Sequence, residues 1–138
     1  MRVSGSMIAE IGPGLLILVG VAPGDGDREV AWLAEKVVNL RIFEDAEGKM
    51  NRSVRDVGGE ILVVPQFTLH GDARRGRRPS WDGAALPAVA EERVEGFAAA
   101  LEALGAPVRR GAFREHMEVE LVNDGPVTLI LTSPFGAP

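Results

Sequence analysis

The sequence contains no cysteine, only two histidines, and no apolar run long enough to cross a bilayer. Without cysteine, disulfides and cysteine-based zinc sites are excluded. The longest apolar stretch, residues 15–22 with Gly20 inside it, is far shorter than a membrane span. The N-terminus also lacks the basic-then-apolar order of a signal peptide. These absences predict a cytoplasmic protein with no membrane partner.

An excess of positive charge is missing as well. The formal net charge is −5, which argues against a chain that holds long nucleic acid through many phosphates, although a local basic patch could still hold one RNA end. With 138 residues, 46% of them apolar, the chain has the size and composition of one globular domain. No repeat, low-complexity run or long linker divides residues 1–138, so a single domain is predicted.

The spacing of apolar residues predicts an α/β fold with two helices and six or seven strands. Apolar residues recur three and four positions apart after an Asp- and Gly-rich break that ends at Asp27, and again after Pro87. Asp25 or Asp27 is expected to cap the first helix. The continuous apolar run at 15–21 is typical of a strand buried on both faces, and residues 60–64, apolar after Glu60, predict a second buried strand. Shorter strands are predicted at 7–11, 41–43 and 108–110.

Near the C-terminus, two β-type runs (119–122 and 127–132) flank Asn123-Asp124-Gly125-Pro126. Asn, Asp and Gly tolerate positive φ, so one interpretation is a plain hairpin turn. Proline fits that interpretation poorly, and a Gly-Pro bond can be cis at a cost of about 0.5–1 kcal/mol. The other interpretation is a rigid binding loop that presents its carbonyl groups. These residues alone leave both open.

A second notable stretch is Pro65-Gln66-Phe67-Thr68, which ends a buried strand. The amides of Phe67 and Thr68 are expected to lack ladder partners there, and free amides can form an oxyanion hole. Thr68 could instead be a nucleophile, but no base is evident for it. A Thr68–His70–Asp72 triad would come from one segment, whereas known triads converge from separate segments. His70 is therefore expected to be a loop residue, and His116 a partly buried structural one.

The densest positive cluster is Arg74, Arg75, Arg77 and Arg78. It is either a solvated loop or a clamp on a few phosphates. Trp81 and Phe113 are available nearby for stacking on a base. No group of His, Asp and Glu has the spacing of metal ligands, so neither a metal nor another cofactor is predicted.

Three motifs together resemble D-aminoacyl-tRNA deacylases: Gln66-Phe67-Thr68-Leu69 after a Val-Val strand, Arg75-Gly76-x-Arg78-Pro79-Ser80, and Asn123-Asp124-Gly125-Pro126-Val127-Thr128. Further matches are Arg41-Ile42-Phe43, Gly48-Lys49-Met50-Asn51 and Gly111-x-Phe113-x-x-x-Met117. The resemblance runs from about Ile11 to Leu131. Each motif alone is weakly specific, but their order and combination are strong.

The resemblance implies a layered β/β/α fold and a homodimeric hydrolase with active sites at the subunit interface. Such an enzyme cleaves the ester between a D-amino acid and the tRNA 3′ end, accepts glycyl-tRNA, and serves translation quality control. The ester would be cleaved with backbone amides, the terminal ribose hydroxyl and water, without a cofactor. Catalytic roles are thereby implied for Gln66, Phe67 and Thr68.

The resemblance also implies the residues that bind substrate. Phe113 would stack on the terminal adenine, and Met117 and Asn123 would line the substrate site. Arg75 and Arg78 would contact tRNA. Gly125-Pro126 is implied to be a cis peptide that crosses the dimer interface, where its carbonyls would exclude an L side chain.

Two departures from the family pattern keep an alternative open. Pro65 stands where the family usually has serine, which puts rejection of L-substrates in question. Only ten residues precede Ile11, so the N-terminal strand is expected to be shortened. The alternative is a catalytically weakened homologue that binds RNA ends.

Overall fold

Two α-helices and eight short strands make up residues 1–135, the part of the chain that this computed structural model describes. In chain order they are β1 (Arg2–Val3), β2 (Ser6–Met7), β3 (Gly14–Val19), α1 (Asp27–Asn39), β4 (Phe43–Glu44), β5 (Met50–Arg52), β6 (Glu60–Pro65), α2 (Pro87–Ala103), β7 (Val108–Arg110) and β8 (Met117–Glu118). A 3-10 helix, Phe67–His70, lies between β6 and α2. The predicted α/β class and both predicted helices are confirmed.

The central layer is a parallel sheet in the order β3-β6-β7. Successive residues of β6 point to opposite faces, so Ile61 and Val63 pack among the helices while Leu62 and Val64 pack on the other side. The other side is covered by a small antiparallel sheet in the order β2-β1-β8. The layers are therefore β/β/α, as the resemblance implied. The uninterrupted apolar run in β6 is explained by burial on both faces.

Both helices pack on the same face of the parallel sheet. Their buried contacts include Ala34 and Val38 of α1 and Phe97, Ala98 and Leu101 of α2. Pro87 begins α2, where its missing N–H leaves no hydrogen bond unmade.

The predicted aspartate cap of α1 is wrong. Gly26 occupies the capping position, and its N–H donates to the Glu29 carboxylate at 2.8 Å. These backbone hydrogen bonds lower the pKa of Glu29. Asp25 instead accepts the Ala22 N–H at 2.8 Å, and Asp27 pairs with Arg93 at 2.9 Å.

The short strands differ in detail from the predictions. The strand expected at 7–11 is limited to Ser6–Met7, and the first strand of the chain has two residues. The strand expected at 41–43 lies at Phe43–Glu44 and pairs with β5. Asp45 organises the turn between them by accepting the N–H groups of Glu47 and Lys49. No helix in residues 1–135 meets the length and hydropathy of a membrane span.

Of the two interpretations left open for residues 119–132, the plain hairpin is not the one that the structure shows. Within the described residues, the chain beyond Glu118 forms no strand, and its loop is closed by one side-chain hydrogen bond, from Asn123 Nδ2 to Thr128 Oγ1 at 2.9 Å. A β-ladder needs a neighbouring strand, and the single chain offers none here. Val122 and Ile130 consequently remain 90% and 93% exposed. We call residues 120–130 the apolar loop.

The cis peptide implied for Gly125-Pro126 is also absent, since no peptide bond in residues 1–135 is cis. The trans isomer of an X-Pro bond is favoured by about 0.5–1 kcal/mol unless neighbouring groups select cis. In the single chain this corner is exposed, and a Cβ added at Gly125 would touch only Val127. Nothing around the corner therefore selects the cis form.

Candidate active site

The carboxyl ends of three parallel strands meet at one edge of the central sheet. The N–H of Gln66 donates to Val19 O at 2.8 Å, and the N–H of Gly111 donates to Val63 O at 2.8 Å. The segments that follow β3, β6 and β7 therefore lie side by side. In open α/β sheets, ligands bind outside this edge. A small apolar cleft opens there, lined by Val19, Gly20, Val21, Pro65, Gln66, Phe67, Ala90, Val94 and Phe113.

The turn after β6 presents two adjacent backbone donors. Because the 3-10 helix begins at Phe67, its first amides have no partner inside the helix. In residues 1–135 neither the Phe67 nor the Thr68 N–H donates a hydrogen bond. Both residues are exposed at the mouth of the cleft. Two free, neighbouring N–H groups are what an oxyanion hole requires.

The remaining groups of this turn are engaged. The Leu69 N–H donates to Gln66 O at 3.2 Å, and the Gly71 N–H donates to Thr68 O at 2.9 Å. The Gln66 side-chain amide donates to the Thr68 hydroxyl. That hydroxyl accepts from an amide, and no histidine or carboxylate among the described residues hydrogen-bonds to it. Thr68 therefore has no base that would activate it as a nucleophile.

The alternative triad of Thr68, His70 and Asp72 does not form. The His70 ring lies over Gly20, where an added Cβ would come within 3.0 Å of His70 Cδ2. The Asp72 carboxylate instead accepts two hydrogen bonds from the Arg74 guanidinium, at 2.9 and 2.8 Å. These bonds lower the pKa of Asp72 to about 2. The second histidine, His116, is exposed rather than partly buried as predicted, because its segment lies at the surface.

Phe113 and Met117 both lie in the chain that follows β7. Phe113 is partly buried and lines the cleft with Gln66 and Phe67. Gly111 lies in a narrow gap, since a Cβ there would be 3.2 Å from Met117 Sδ and 3.4 Å from Pro65 Cδ. The structure thus places Phe113 beside the catalytic candidates, whereas Met117 packs on the other face of the sheet, against the cluster of Leu62 and Val64.

The arginine cluster forms a closed, exposed loop, residues 72–80. Its ends are joined by backbone hydrogen bonds between Asp72 and Ser80 at 2.7 and 2.8 Å. Arg74 folds back on Asp72, as described above. Arg75 and Arg78 are exposed, and neither forms an ion pair in the described part of the chain. The loop follows the Phe67–His70 turn directly along the chain.

Asn123, Gly125 and Pro126 are not brought to the cleft of the single chain, since they lie on the exposed apolar loop. Conversely, sequence reasoning missed two glycines that the site requires. Gly20 leaves room for the His70 ring, and Gly71 leaves room for the ring of Trp81. The signal for Gly20 was a lone glycine inside a continuous apolar strand.

Known proteins match nearly the whole chain. The family model for D-Tyr-tRNA(Tyr) deacylase matches residues 1–132. The D-aminoacyl-tRNA deacylase of Carboxydothermus hydrogenoformans is 58% identical over 131 residues, covering 95% of this chain and 90% of that protein. The D-aminoacyl-tRNA deacylase of Heliobacterium modesticaldum is 57% identical over 136 residues, covering 99% and 91%. Among solved structures, the c-Myc DNA Unwinding Element Binding Protein is similar with a TM-score of 0.90 and 38% identity, covering 96% of this chain and 91% of that one. The chain therefore belongs to the D-Tyr-tRNA(Tyr) deacylase family of hydrolases, as its motifs predicted.

Proposed function

We propose that this protein hydrolyses the ester bond of D-aminoacyl-tRNA and releases the D-amino acid and the tRNA. The observation that supports this most directly is the pair of unpartnered N–H groups of Phe67 and Thr68 at the mouth of the cleft. An aminoacyl ester is an activated acyl group, so hydrolysis needs stabilisation of negative charge on the carbonyl oxygen more than it needs a protein nucleophile.

In the proposed reaction, water attacks the ester carbonyl and negative charge develops on the carbonyl oxygen. The N–H groups of Phe67 and Thr68 donate to that oxygen, and each such donor is worth about 10²–10³ in rate. The neighbouring ribose hydroxyl of the terminal adenosine orients the water. The new bond joins the water oxygen to the carbonyl carbon, and the ester C–O bond breaks as the ribose oxygen takes up a proton. Gln66 holds the Thr68 hydroxyl and so keeps it from the reaction centre.

The proposed tRNA contacts are local. Phe113 stacks on the terminal adenine from the wall of the cleft, and Met117, near Gly111, lines the substrate site from the neighbouring segment. Arg75 and Arg78 contact phosphates near the 3′ end. Because the whole chain carries a net charge of −5, binding depends on this small patch rather than on a broad basic surface.

The proposed rejection of L-substrates requires a second copy of the chain. Four large apolar side chains of the apolar loop are exposed: Leu121, Val122, Leu129 and Ile130. Exposed apolar clusters of this kind mark protein interfaces. In a homodimer, the loop of one copy brings the carbonyls of Gly125 and Pro126 to the cleft of the other, next to the substrate α-carbon. An L side chain would then clash, whereas glycine has no side chain to reject.

A direct test measures amino acid release from D-tyrosyl-tRNA, L-tyrosyl-tRNA and glycyl-tRNA(Ala), together with the molar mass in solution. The expected result is release of D-tyrosine and glycine, retention of L-tyrosine, and a mass of two chains. Equal release of D- and L-tyrosine would contradict chiral selection. A monomer that releases D-tyrosine selectively would contradict the cross-subunit arrangement alone.

A second candidate function is binding of nucleic-acid ends without hydrolysis. Arg75 and Arg78 are exposed on the loop that follows the turn, and the cleft has an aromatic wall; these features would serve a binding protein equally well. One structural relative is named for binding a DNA unwinding element. Tight binding of D-tyrosyl-tRNA without any release would favour this candidate over hydrolysis.

A further inference from the structure

Trp81 lies directly after the arginine loop and packs against the turn that carries the free amides. Its ring meets the Phe67 ring edge to face, with the centroids 5.2 Å apart and the planes at 71°. It also covers Gly71, where an added Cβ would lie 2.6 Å from Trp81 Cζ3. Phe67 is the first residue of the 3-10 helix and Gly71 is the first residue after it. One ring therefore contacts both ends of the turn.

The turn is not held by burial in the hydrophobic core. None of the residues Phe67–His70 is buried, so the hydrophobic core does not fix their positions. A single 3-10 turn has poor hydrogen-bond geometry and opens easily on its own. An edge-to-face aromatic pair at this separation is attractive. The Trp81 ring is thus the side chain that contacts both ends of the turn; the His70 ring on Gly20 and the Gln66–Thr68 hydrogen bond act within it.

Trp81 itself is well anchored although its side chain is 40% exposed. Its carbonyl accepts the Ala84 N–H at 2.9 Å, and the next residue, Ala85, donates to Val21 O at 2.8 Å. Val21 follows β3, so the backbone around Trp81 is tied to the same sheet edge as the turn. On its other side, Ser80 pairs with Asp72 and closes the arginine loop.

We propose that Trp81 is a positioning residue of this site. Its ring holds the turn so that the Phe67 and Thr68 N–H groups point at one oxygen, and it fixes the arginine loop relative to them. The catalytic consequence depends on the proposed deacylase function, whereas the effect on the turn does not. Trp81 acts through Phe67 and Gly71 and need not touch the reacting atoms.

The test compares Trp81→Ala with Trp81→Phe, and uses Trp32→Ala as a control that removes the other tryptophan, on α1. Amide hydrogen exchange is measured at Leu69 and Gly71, whose N–H groups close the turn. Exchange at both is expected to be about tenfold faster in Trp81→Ala, because the turn opens locally. It should stay near the wild-type rate in Trp81→Phe and Trp32→Ala. Unchanged exchange in Trp81→Ala would overturn the proposal whether or not the enzyme is active.

Kinetics with D-tyrosyl-tRNA supply the second readout. A small misplacement of catalytic donors costs on the order of 10²-fold in rate, so kcat of Trp81→Ala should fall towards that extent while KM changes little. Trp81→Phe should restore most of kcat, since it keeps an aromatic ring over the turn. If kcat of Trp81→Ala falls only in step with its melting temperature, and Trp81→Phe does not restore kcat, Trp81 does not have a positioning role. If exchange is faster in Trp81→Ala but the wild-type protein does not hydrolyse D-tyrosyl-tRNA, the positioning role stands and the proposed function is refuted.

Discussion

The backbone N–H of Gln66 donates to the carbonyl oxygen of Val19 at 2.8 Å, which ties the residue that opens the candidate site to the last residue of β3. The register of the two strands places Val19 opposite Pro65, so this hydrogen bond comes one residue beyond the ladder. Proline has no N–H and could not have made it. The strand ladder therefore ends at the point where the turn with the free amides begins.

Gly20→Ala tests how closely the turn packs on this sheet edge. The new Cβ would lie 3.1 Å from Gln66 O and 3.0 Å from the His70 ring, so the turn must shift by a few tenths of an ångström. We expect kcat/KM for D-tyrosyl-tRNA to fall by about 10-fold or more, because catalytic donors are sensitive to small displacements. The melting temperature should fall by only a few degrees, about 4 °C for each kcal/mol lost in a domain of this size.

The matched control is Gly96→Ala. Gly96 lies in the exposed face of α2 with no atom near its added Cβ. Alanine is favoured over glycine inside a helix by about 0.8–1 kcal/mol, so this variant should gain stability and keep its activity. Equal activity of the two variants would show that the turn does not depend on the space at Gly20.

Much of the fold could be predicted because its main elements are defined by their own residues. β6 is apolar from Ile61 to Val64 because it is buried on both faces, and α1 shows its buried stripe as a spacing of three and four. The free amides of Phe67 and Thr68 could be anticipated for a similar reason, because Pro65 ends the strand. Phe113 lies in the cleft because it follows the short strand β7; its residue type suggested stacking on a base, and the resemblance supplied the adenine as its partner.

The segment that could not be predicted is the one whose environment lies outside the single chain. Val119–Val122 and Val127–Thr132 have β-forming residues, but such residues form a strand only when a ladder partner is present. The cis or trans state of the Gly125-Pro126 peptide bond likewise depends on the groups packed around it, which the sequence does not specify. Gly20 and Gly71 were missed because their role is to leave space for His70 and Trp81, and contacts between distant residues cannot be read from spacing.

Replacing Arg75 or Arg78 with alanine should weaken the binding of all tRNAs by a similar factor. It should also flatten the dependence of tRNA affinity on salt concentration. Each arginine that neutralises a phosphate contributes about 0.7–0.9 to the slope of log K against log salt, so each substitution should reduce that slope by roughly this amount. Lys36→Ala on α1 removes the same charge away from the loop and should leave the slope unchanged. A slope unaltered in both arginine variants would show that the loop is merely solvated. Fluorescence anisotropy of labelled tRNA across a salt series measures these slopes.

The ion pair between Asp72 and Arg74 should make the arginine loop sensitive to acid. The pKa of Asp72 is lowered from 3.8 to about 2, chiefly by the hydrogen bonds from Arg74. A lowered pKa in the folded state means that the pair stabilises the loop above about pH 4, and that this contribution is lost as the pH falls towards 2. Carbon NMR titration of the Asp72 carboxyl should give a midpoint near 2 in the wild type. In Arg74→Ala the midpoint should return towards 3.8, whereas Arg75→Ala should leave it in place.

Thr68 offers a test that separates its backbone from its side chain. Thr68→Ala removes the hydroxyl but keeps the N–H, so kcat should stay within about 10-fold of the wild type if the amide is the catalytic group. Thr68→Pro removes the N–H as well, and loss of one oxyanion donor should reduce kcat by about 10²–10³. That N–H has no partner in the described structure, but proline disfavours the helical conformation of Phe67 before it, so the melting temperature and tRNA binding of this variant are measured alongside kcat. Complete loss of activity in Thr68→Ala, with folding and tRNA binding intact, would instead identify the hydroxyl as the nucleophile.

Gly125→Ala should impair chiral selection more than it impairs folding. Gly125 has φ of +141°, which L residues rarely adopt, so alanine there costs on the order of 1–3 kcal/mol. Gly48→Ala, at φ +78° in the β4–β5 turn and with open space around its added Cβ, imposes similar strain outside the site. At matched melting temperatures, the ratio of D- to L-tyrosyl-tRNA hydrolysis should fall only in Gly125→Ala. Parallel loss of stability and activity in both variants would assign Gly125 a structural role.

The same substitution can show whether Gly125 acts on its own cleft or on that of a second copy. Dimers that combine one Thr68→Pro chain with one Gly125→Ala chain contain two kinds of site. If the loop crosses between subunits, the cleft of the Gly125→Ala chain keeps its own Thr68 amide and receives an intact Gly125 from its partner. That site should hydrolyse D-tyrosyl-tRNA selectively, so co-expression of the two impaired variants should restore selective activity. If the loop instead lies at the cleft of its own chain, every cleft contains either Thr68→Pro or Gly125→Ala. Co-expression of the two variants should then restore no selective activity.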